Sequence, residues 1–421
     1  MTPKKTTFSF WAYYLSIPIL GVIVGLIGIV LTYVLHAVQH LAYGYSIHQM
    51  ISNETFLQGV LNASPLRRLC VLALCGIIAS LGWWLLARFA SPIVSVAEAV
   101  KTRTMPVITT IVHAFLQIIT IALGSPLGRE AAPREMGALA AIQWEKKIGL
   151  SNKQTKILLA CAAGGGLAAV YNVPLSGATY VLEVLLLTLS WEAVIPALVI
   201  STIAVVVSWI GLGNKPLYYF STYHINYSLI IWSILTGPFF GAVAYFFIKA
   251  TTEARKNAPQ DKRLLIYPIL NFLCIGFLAI LFPALLGNGK SPVQLEFDDE
   301  LTLTLSLILF VLRMIITWSS LRSGSKGGLL TPCLANGALM GVVLGGLWNF
   351  LSESNSLNAY ALIGSTAFLA AAQKMPITAI LLIFELTHIK FSFLVPLLFA
   401  VTGSATSFYF LNFYFEKKKK K

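Results

Sequence analysis

Gly124-Ser-Pro-Leu-Gly-Arg-Glu-Ala-Ala-Pro-Arg-Glu-Met-Gly137 interrupts an otherwise apolar part of the chain. Gly124, Pro126 and Gly128 end one apolar helix, and Arg129, Glu130, Arg134 and Glu135 open another. A helix start presents N–H groups that no turn above it can use, together with the positive end of the helix dipole, and both suit an anion. Further along, Gly324-Ser-Lys-Gly-Gly-Leu-Leu-Thr-Pro-Cys333 repeats the design, with Gly327 and Gly328 ahead of an apolar helix start at Leu329 and Leu330. It has no carboxylate where Glu130 stands in the first stretch.

The repetition extends beyond these loops. Leu167-Ala168-Ala169 is followed by Pro174 and Glu183, and Leu369-Ala370-Ala371 by Pro376 and Glu385, an offset of 202 residues. Gly128 with Gly137-Ala138-Leu139 matches Gly328 with Gly337-Ala338-Leu339 at an offset of 200. Two matches at nearly one offset indicate a duplication, with a first half over 1–248, a polar connector at about 249–263 and a second half over 264–421. Membrane proteins with repeated halves place their substrate near the bilayer midplane, where broken helices aim their ends at it.

The composition is that of a membrane protein: 57% of the 421 residues are hydrophobic and 11% charged, against about a quarter charged in soluble domains. The runs Ile17–Val34, Leu69–Leu86, Ile195–Ile210, Leu229–Phe247 and Leu264–Leu286 approach or exceed the roughly 20 residues needed to cross a ~30 Å hydrocarbon core. Backbone groups in lipid must bond internally, so these runs read as helices and the fold class as all-α and polytopic. The net charge of +14 gathers at Lys4 and Lys5, Lys146–Lys156, Lys249–Arg263 and Lys417–Lys421. Such clusters fit cytoplasmic flanks of a multi-pass protein in the cell membrane, with both termini inside, and not a nucleic-acid surface. The first apolar run is too long for a secretory signal and reads as a retained helix. Cys70, Cys75, Cys161, Cys274 and Cys333 lack the spacing of a zinc or disulfide framework and read as small buried residues. No metal-binding His pair or nucleophile turn is present, so the sequence argues against an enzyme and asks for neither metal nor cofactor.

Two readings of Glu130 stand. A carboxylate aimed at helix starts occupies the place of an anion and leaves by swinging out or by taking a proton, which makes it a gate. Alternatively it is a helix-start glutamate neutralised by Arg129 or Arg134. His113, in an apolar helix, either lends positive potential to an anion path or is a hydrogen-bonded interior histidine. Glu183 and Glu385 match each other in the repeat, which favours a structural role at helix ends.

The chain resembles the CLC family of chloride channels and chloride/proton antiporters over nearly its whole length. Gly128-Arg129-Glu130 resembles the start of the family's Gly-(Lys/Arg)-Glu-Gly-Pro motif, and Gly328-Leu329-Leu330-Thr331-Pro332 its Gly-x-Phe-x-Pro motif. Asn172-Val-Pro-Leu-Ser-Gly, leading to Glu183, and Met375-Pro-Ile-Thr-Ala-Ile, leading to Glu385, resemble the helices after each motif. The resemblance implies two inverted halves of broken and tilted helices, and a homodimer in lipid with one pathway per subunit for chloride or a similar small anion. It makes Glu130 the gating glutamate, gives the central anion the amides of Leu329 and Leu330, and gives the outer position amides around Arg129, Glu130 and Ala131. Ser95 keeps the hydroxyl of the family's Gly-Ser-Gly-Ile-Pro motif, without its glycines and proline; a serine in a helix-start turn is the alternative. Tyr414 is the nearest counterpart of the family's central tyrosine, with Tyr409 as a rival and an interfacial aromatic belt as the alternative. Proton-coupled members carry a second glutamate where this chain has Val184, which favours passive or loosely coupled conduction and leaves tightly coupled exchange, or selectivity for fluoride or nitrate, as alternatives. Proline is displaced: Ala132 stands at its place in the motif, with Pro133 next. The nucleotide-sensing tail domains of some relatives are not expected after Lys421.

Overall fold

The computed structural model describes residues 4–45, 55–220, 225–352 and 356–419. Among them the chain forms α1 (Lys4–Tyr43), α2 (Phe56–Asn62), α3 (Pro65–Phe89), α4 (Val96–Thr102), α5 (Val107–Ala122), α6 (Ala131–Ile148), α7 (Asn152–Tyr171), α8 (Pro174–Tyr180) and α9 (Trp191–Leu212). There follow α10 (Tyr227–Lys256), α11 (Tyr267–Leu281), α12 (Lys290–Phe297), α13 (Leu303–Arg322), α14 (Leu330–Trp348), α15 (Leu357–Gln373), α16 (Pro376–Thr387) and α17 (Leu394–Lys419). Of the terminal lysine cluster, Lys420 and Lys421 lie outside the described residues.

Eight segments among the described residues are long and apolar enough to cross a membrane, and four of the five expected apolar runs fall within them. The run Leu264–Leu286 stops early, at Leu281, because Pro283 follows. Proline forces the residue before it out of the helical region, and Phe282 lies outside it at φ −124°, ψ 75°. Helix α10 continues to Lys256, into the polar stretch that reads as the connector. Helices α5 and α16 are apolar but shorter than a span, so the helices are of uneven length.

The duplication is written in the backbone. Gly124 and Gly324 both take positive φ, 110° and 104°. In each loop this glycine's N–H bonds back to the helix before it (Gly124 to Ile121 O, 3.0 Å; Gly324 to Leu321 O, 3.2 Å). The serine after it bonds one residue further back (Ser125 to Thr120 O and Ser325 to Ser320 O, both 3.0 Å). Helices α7 and α15 both end on a left-handed residue, Asn172 and Lys374, before the prolines that start α8 and α16. The copies then diverge. Helix α16 runs straight to a left-handed His388, whereas α8 widens into a π-helical turn, Val181–Leu186, that ends at left-handed Leu187. The wide turn takes up one additional residue between the proline and the end of the element.

The described residues divide into two compact units, one within 1–36, 85–118 and 130–217, the other within 37–84, 119–129 and 218–421. These units cut across the sequence halves, because α1, α3 and α5 each contribute one end to either unit. In the first unit α6 and α7 approach backbone to backbone: a Cβ on Gly137 would overlap the carbonyl of Ala162, and one on Gly166 that of Pro133. In the second unit Gly337 and Gly341 of α14 lie against the backbone of Gly364 and Tyr360 of α15 in the same way, and Gly345 lies against the Tyr360 side chain. Small residues at such spacing let helices in lipid gain packing contact that apolar bulk cannot supply. Phe89, Ile210 and Leu281 are largely exposed, as residues facing hydrocarbon are. The cysteines divide accordingly. Cys75, Cys161 and Cys333 are buried, but Cys70 and Cys274 are exposed; a lipid-facing surface is as apolar as an interior, so apolar neighbours in sequence did not imply burial.

Candidate functional site

The two glycine loops meet within the second unit. The N–H of Gly128 donates to the carbonyl of Gly328 at 2.8 Å, and the N–H of Gly328 donates to the carbonyl of Gly128 at 2.8 Å. This isolated antiparallel bridge is held from several sides. Leu127 packs with Leu321, Ala254 and Leu329, Arg255 donates to the carbonyl of Gly327 at 2.9 Å, and the Tyr43 hydroxyl donates to the carbonyl of Leu123 at 2.9 Å. Gly327 must lack a side chain, since a Cβ there would stand 2.6 Å from that of Leu127. From the bridge the chain passes through Arg129 and Glu130 into α6, and through Leu329 into α14.

Neither start is closed by a side-chain cap. Ser95, Ser151, Asn226 and Thr302, by contrast, cap the helices that follow them. Proline is the third residue of both helices, Pro133 in α6 and Pro332 in α14, inside the first turn where a missing N–H breaks no helical bond. The displaced proline therefore leaves the start of α6 regular.

Glu130 is fully buried and occupies the N-cap position of α6 at φ −71°, ψ −18°. Arg134, one turn on, donates through Nε to the carbonyl oxygen of Glu130 at 2.8 Å and through Nη1 to the Tyr180 hydroxyl at 2.6 Å. Its guanidinium also lies over the Tyr180 ring, 5.2 Å from the centroid. Both hydrogen bonds go to neutral oxygens, so Arg134 ties the turn together while its charge acts on the nearby carboxylates of Glu130 and Glu135. Arg129 and Leu329 are half-buried, Ala131 is half-buried, and Leu330 is buried. The ammonium of Lys290, in the second unit, lies close enough to the Arg129 guanidinium for the two charges to repel.

Ser95, Tyr414, Tyr409 and Val184 are the remaining predicted residues. Ser95 is exposed and caps α4, its Oγ accepting from the N–H of Glu98 at 3.2 Å, which leaves the hydroxyl proton available to donate. Tyr414 is half-exposed near the end of α17, its ring edge-on to Phe415 at 5.4 Å. Phe415 stacks on Tyr245 and carries the Lys249 ammonium 4.7 Å above it. This is an aromatic and lysine group of the kind found at membrane interfaces. Tyr409 is more exposed still. Val184 is half-buried within the π-helical turn, beside Glu183.

One polar group was not assembled from the sequence. Within the first unit His113 and Gln117 of α5 face Glu135 of α6, all three buried. Gln117 Nε2 donates to Glu135 Oε2 at 3.0 Å, and His113 Nε2 lies 3.9 Å from the same oxygen. The available signal was the spacing of four between His113 and Gln117, which puts both on one helix face.

A protein-family model described as voltage gated chloride channel matches residues 69–408. A voltage-gated ClC-type chloride channel of Salmonella typhimurium is 29% identical over 367 residues, covering 84% of this chain and 86% of the relative. An Escherichia coli protein of the same description is 29% identical over 341 residues, covering 77% and 80%. Among solved structures, a slow cyanobacterial Cl⁻/H⁺ antiporter aligns at TM-score 0.81 and 20% identity over 95% of both chains. A CLC-type fluoride/proton antiporter aligns at 0.65 and 18% identity, over 93% of this chain and 95% of the other. The arrangement of helices is therefore that of CLC transporters.

Proposed function

Because the chain belongs to the voltage-gated chloride channel family, a family of multi-pass membrane channels and transporters, we propose that it carries chloride or a similar small anion across the membrane, gated by Glu130. One observation supports this most: two repeated glycine loops, bonded to each other through Gly128 and Gly328, each lead into a helix start that no side chain caps, and one start carries a buried carboxylate. A helix start of this kind draws an anion with dipole and amides and with no full positive charge, so binding stays weak enough for the ion to leave. On this reading the amides of Leu329 and Leu330 serve the central anion and those around Arg129 and Ala131 the outer one. The Ser95 hydroxyl donates from a third helix start, and Tyr414 is the remaining candidate ligand. Glu130 competes with the anion as a tethered carboxylate, and protonation ends the competition by removing its charge.

A second reading, tight exchange of chloride for protons, is favoured by the retained Glu130 and by the likeness in fold to structures described as antiporters. Val184 counts against it, since an apolar side chain cannot relay a proton. Fluoride selectivity is a variant of either. The lysine clusters support cytoplasmic termini, and the family resemblance supports a homodimer with one pathway per subunit and no cofactor.

The test is flux from liposomes holding the purified protein under an outward chloride gradient, with chloride and pH electrodes read together. Chloride efflux above protein-free liposomes is the expected result. A folded protein that releases neither chloride, nitrate nor fluoride would sink the proposal.

A further inference from the structure

Val184 leaves the chain without an ionisable group where proton-coupled relatives carry a glutamate, yet an ionisable group is buried a short way along the helix that Glu130 opens. Glu135 stands five residues beyond Glu130, roughly 7.5 Å along the axis at ~1.5 Å per residue. Helix α6 continues from there to Lys146 and Lys147 and the basic connector into α7, a cytoplasmic flank by its lysines. Glu135 thus lies between the gate and the cytoplasmic end of the same helix.

Its surroundings are those of a group that can hold or release a proton without losing its place. From α5, Gln117 donates to Oε2 at 3.0 Å and His113 Nε2 stands 3.9 Å from the same atom. From α6, Arg134 acts on Glu135 through its charge while its hydrogen bonds hold the Glu130 carbonyl and Tyr180 of α8. Helix α7 turns glycine and alanine towards α6, as at Gly166 and Ala162. Helix α4 buries only Ala99 and Val100. The charged residues of these two helices, Glu98, Lys101, Lys153 and Lys156, are exposed. A carboxylate buried at membrane depth is costly to keep for structure alone, since Gln at this position would keep the bond geometry without the charge. His113 is the residue type whose charge changes most readily near neutral pH.

The geometry points to Glu135, with His113 beside it, as the internal proton-binding site of this protein, taking the part that Val184 cannot. The inference rests on the anion-transport reading above. In the step concerned, His113 takes a proton from the cytoplasmic side on a ring nitrogen and passes it to the Glu135 carboxylate, leaving neutral imidazole and carboxylic acid. The acid then gives its proton, through water, to the Glu130 carboxylate at the start of the same helix. Each transfer breaks one O–H or N–H bond as it forms another, and no electrons change hands. Gln117 is a positioning residue: its amide keeps Oε2 turned towards α5.

The test uses the full-length protein in liposomes, with chloride efflux and proton uptake read together for the parent, Glu135→Gln, Glu135→Asp and His113→Gln. The parent is expected to take up protons as chloride leaves. Glu135→Gln should lower the ratio of protons to chloride at least tenfold, and Glu135→Asp should restore at least half of it. His113→Gln, which keeps a hydrogen-bonding side chain, should slow proton uptake and flatten its dependence on internal pH. An unchanged ratio in Glu135→Gln overturns the inference. If that variant does not fold, an unchanged internal-pH profile in His113→Gln overturns it instead. A parent that releases chloride with no proton uptake also overturns it and leaves the anion reading standing, whereas a folded parent that releases no anion overturns the anion reading itself.

Discussion

Replacing Glu130 by glutamine changes one thing that the gate depends on, the negative charge at the start of α6. Glutamine keeps the volume and one carbonyl oxygen in the side chain, so packing around this fully buried position is retained. A negative group in the first turn of a helix gains typically 0.3–1 kcal/mol from the dipole, rising to about 2 kcal/mol where the site is dry. Glu130 belongs at the upper end, being buried with Arg134 one turn away. About 2 kcal/mol is roughly a 30-fold preference for the closed arrangement, so Glu130→Gln should raise chloride efflux at neutral pH by up to about 30-fold. It should also abolish the stimulation that external acid gives the parent, because the charge that acid would remove is already gone. Efflux from liposomes at external pH values from about 4.5 to about 7.5 compares the two proteins directly. A variant with the parent's rate and the parent's response to acid would refute the gate.

Tyr180→Phe removes the acceptor that Arg134 reaches at 2.6 Å, at a cost of about 1–3 kcal/mol; it should lower the thermal midpoint in detergent and loosen gating, seen as a weaker acid response. Gly341→Ala puts a methyl group into the carbonyl of Tyr360 and should cost about 1–3 kcal/mol, read by the same melt. Ser95→Ala removes the cap of α4, worth about 1 kcal/mol; if the hydroxyl also serves the anion, calorimetric chloride affinity falls severalfold, and Ser95→Thr recovers it.

The sequence carried the features that are local or that repeat. Gly128, Gly328 and the prolines near them were readable because loop chemistry depends on a few adjacent residues, and the duplication sets the two loops in correspondence. Their direct pairing was not readable, since nothing in either loop names its partner. The π-helical turn at Val181–Leu186 was hidden because Glu183 and Glu385 each stand nine residues after their prolines, so the side-chain pattern stayed in register while the helix end moved. In the sequence Glu135 is only part of a helix start, because its partners come from α5 and a single polar contact between helices leaves no periodic trace. The continuation of α10 to Lys256 was not readable because a charged helix end and a charged loop have the same composition.

The paired bonds between Gly128 and Gly328 carry a consequence for time scale. Each glycine is donor and acceptor to the same partner, so neither loop can drift from the other by half measures: both bonds hold or both open together. Hydrogen exchange at the two amides should therefore report one shared opening event, with a single protection factor for residues two hundred positions apart. Rotation of a side chain such as Glu130 breaks neither bond and need not wait for that event, whereas any opening that spreads the loops must wait for the slower collective motion.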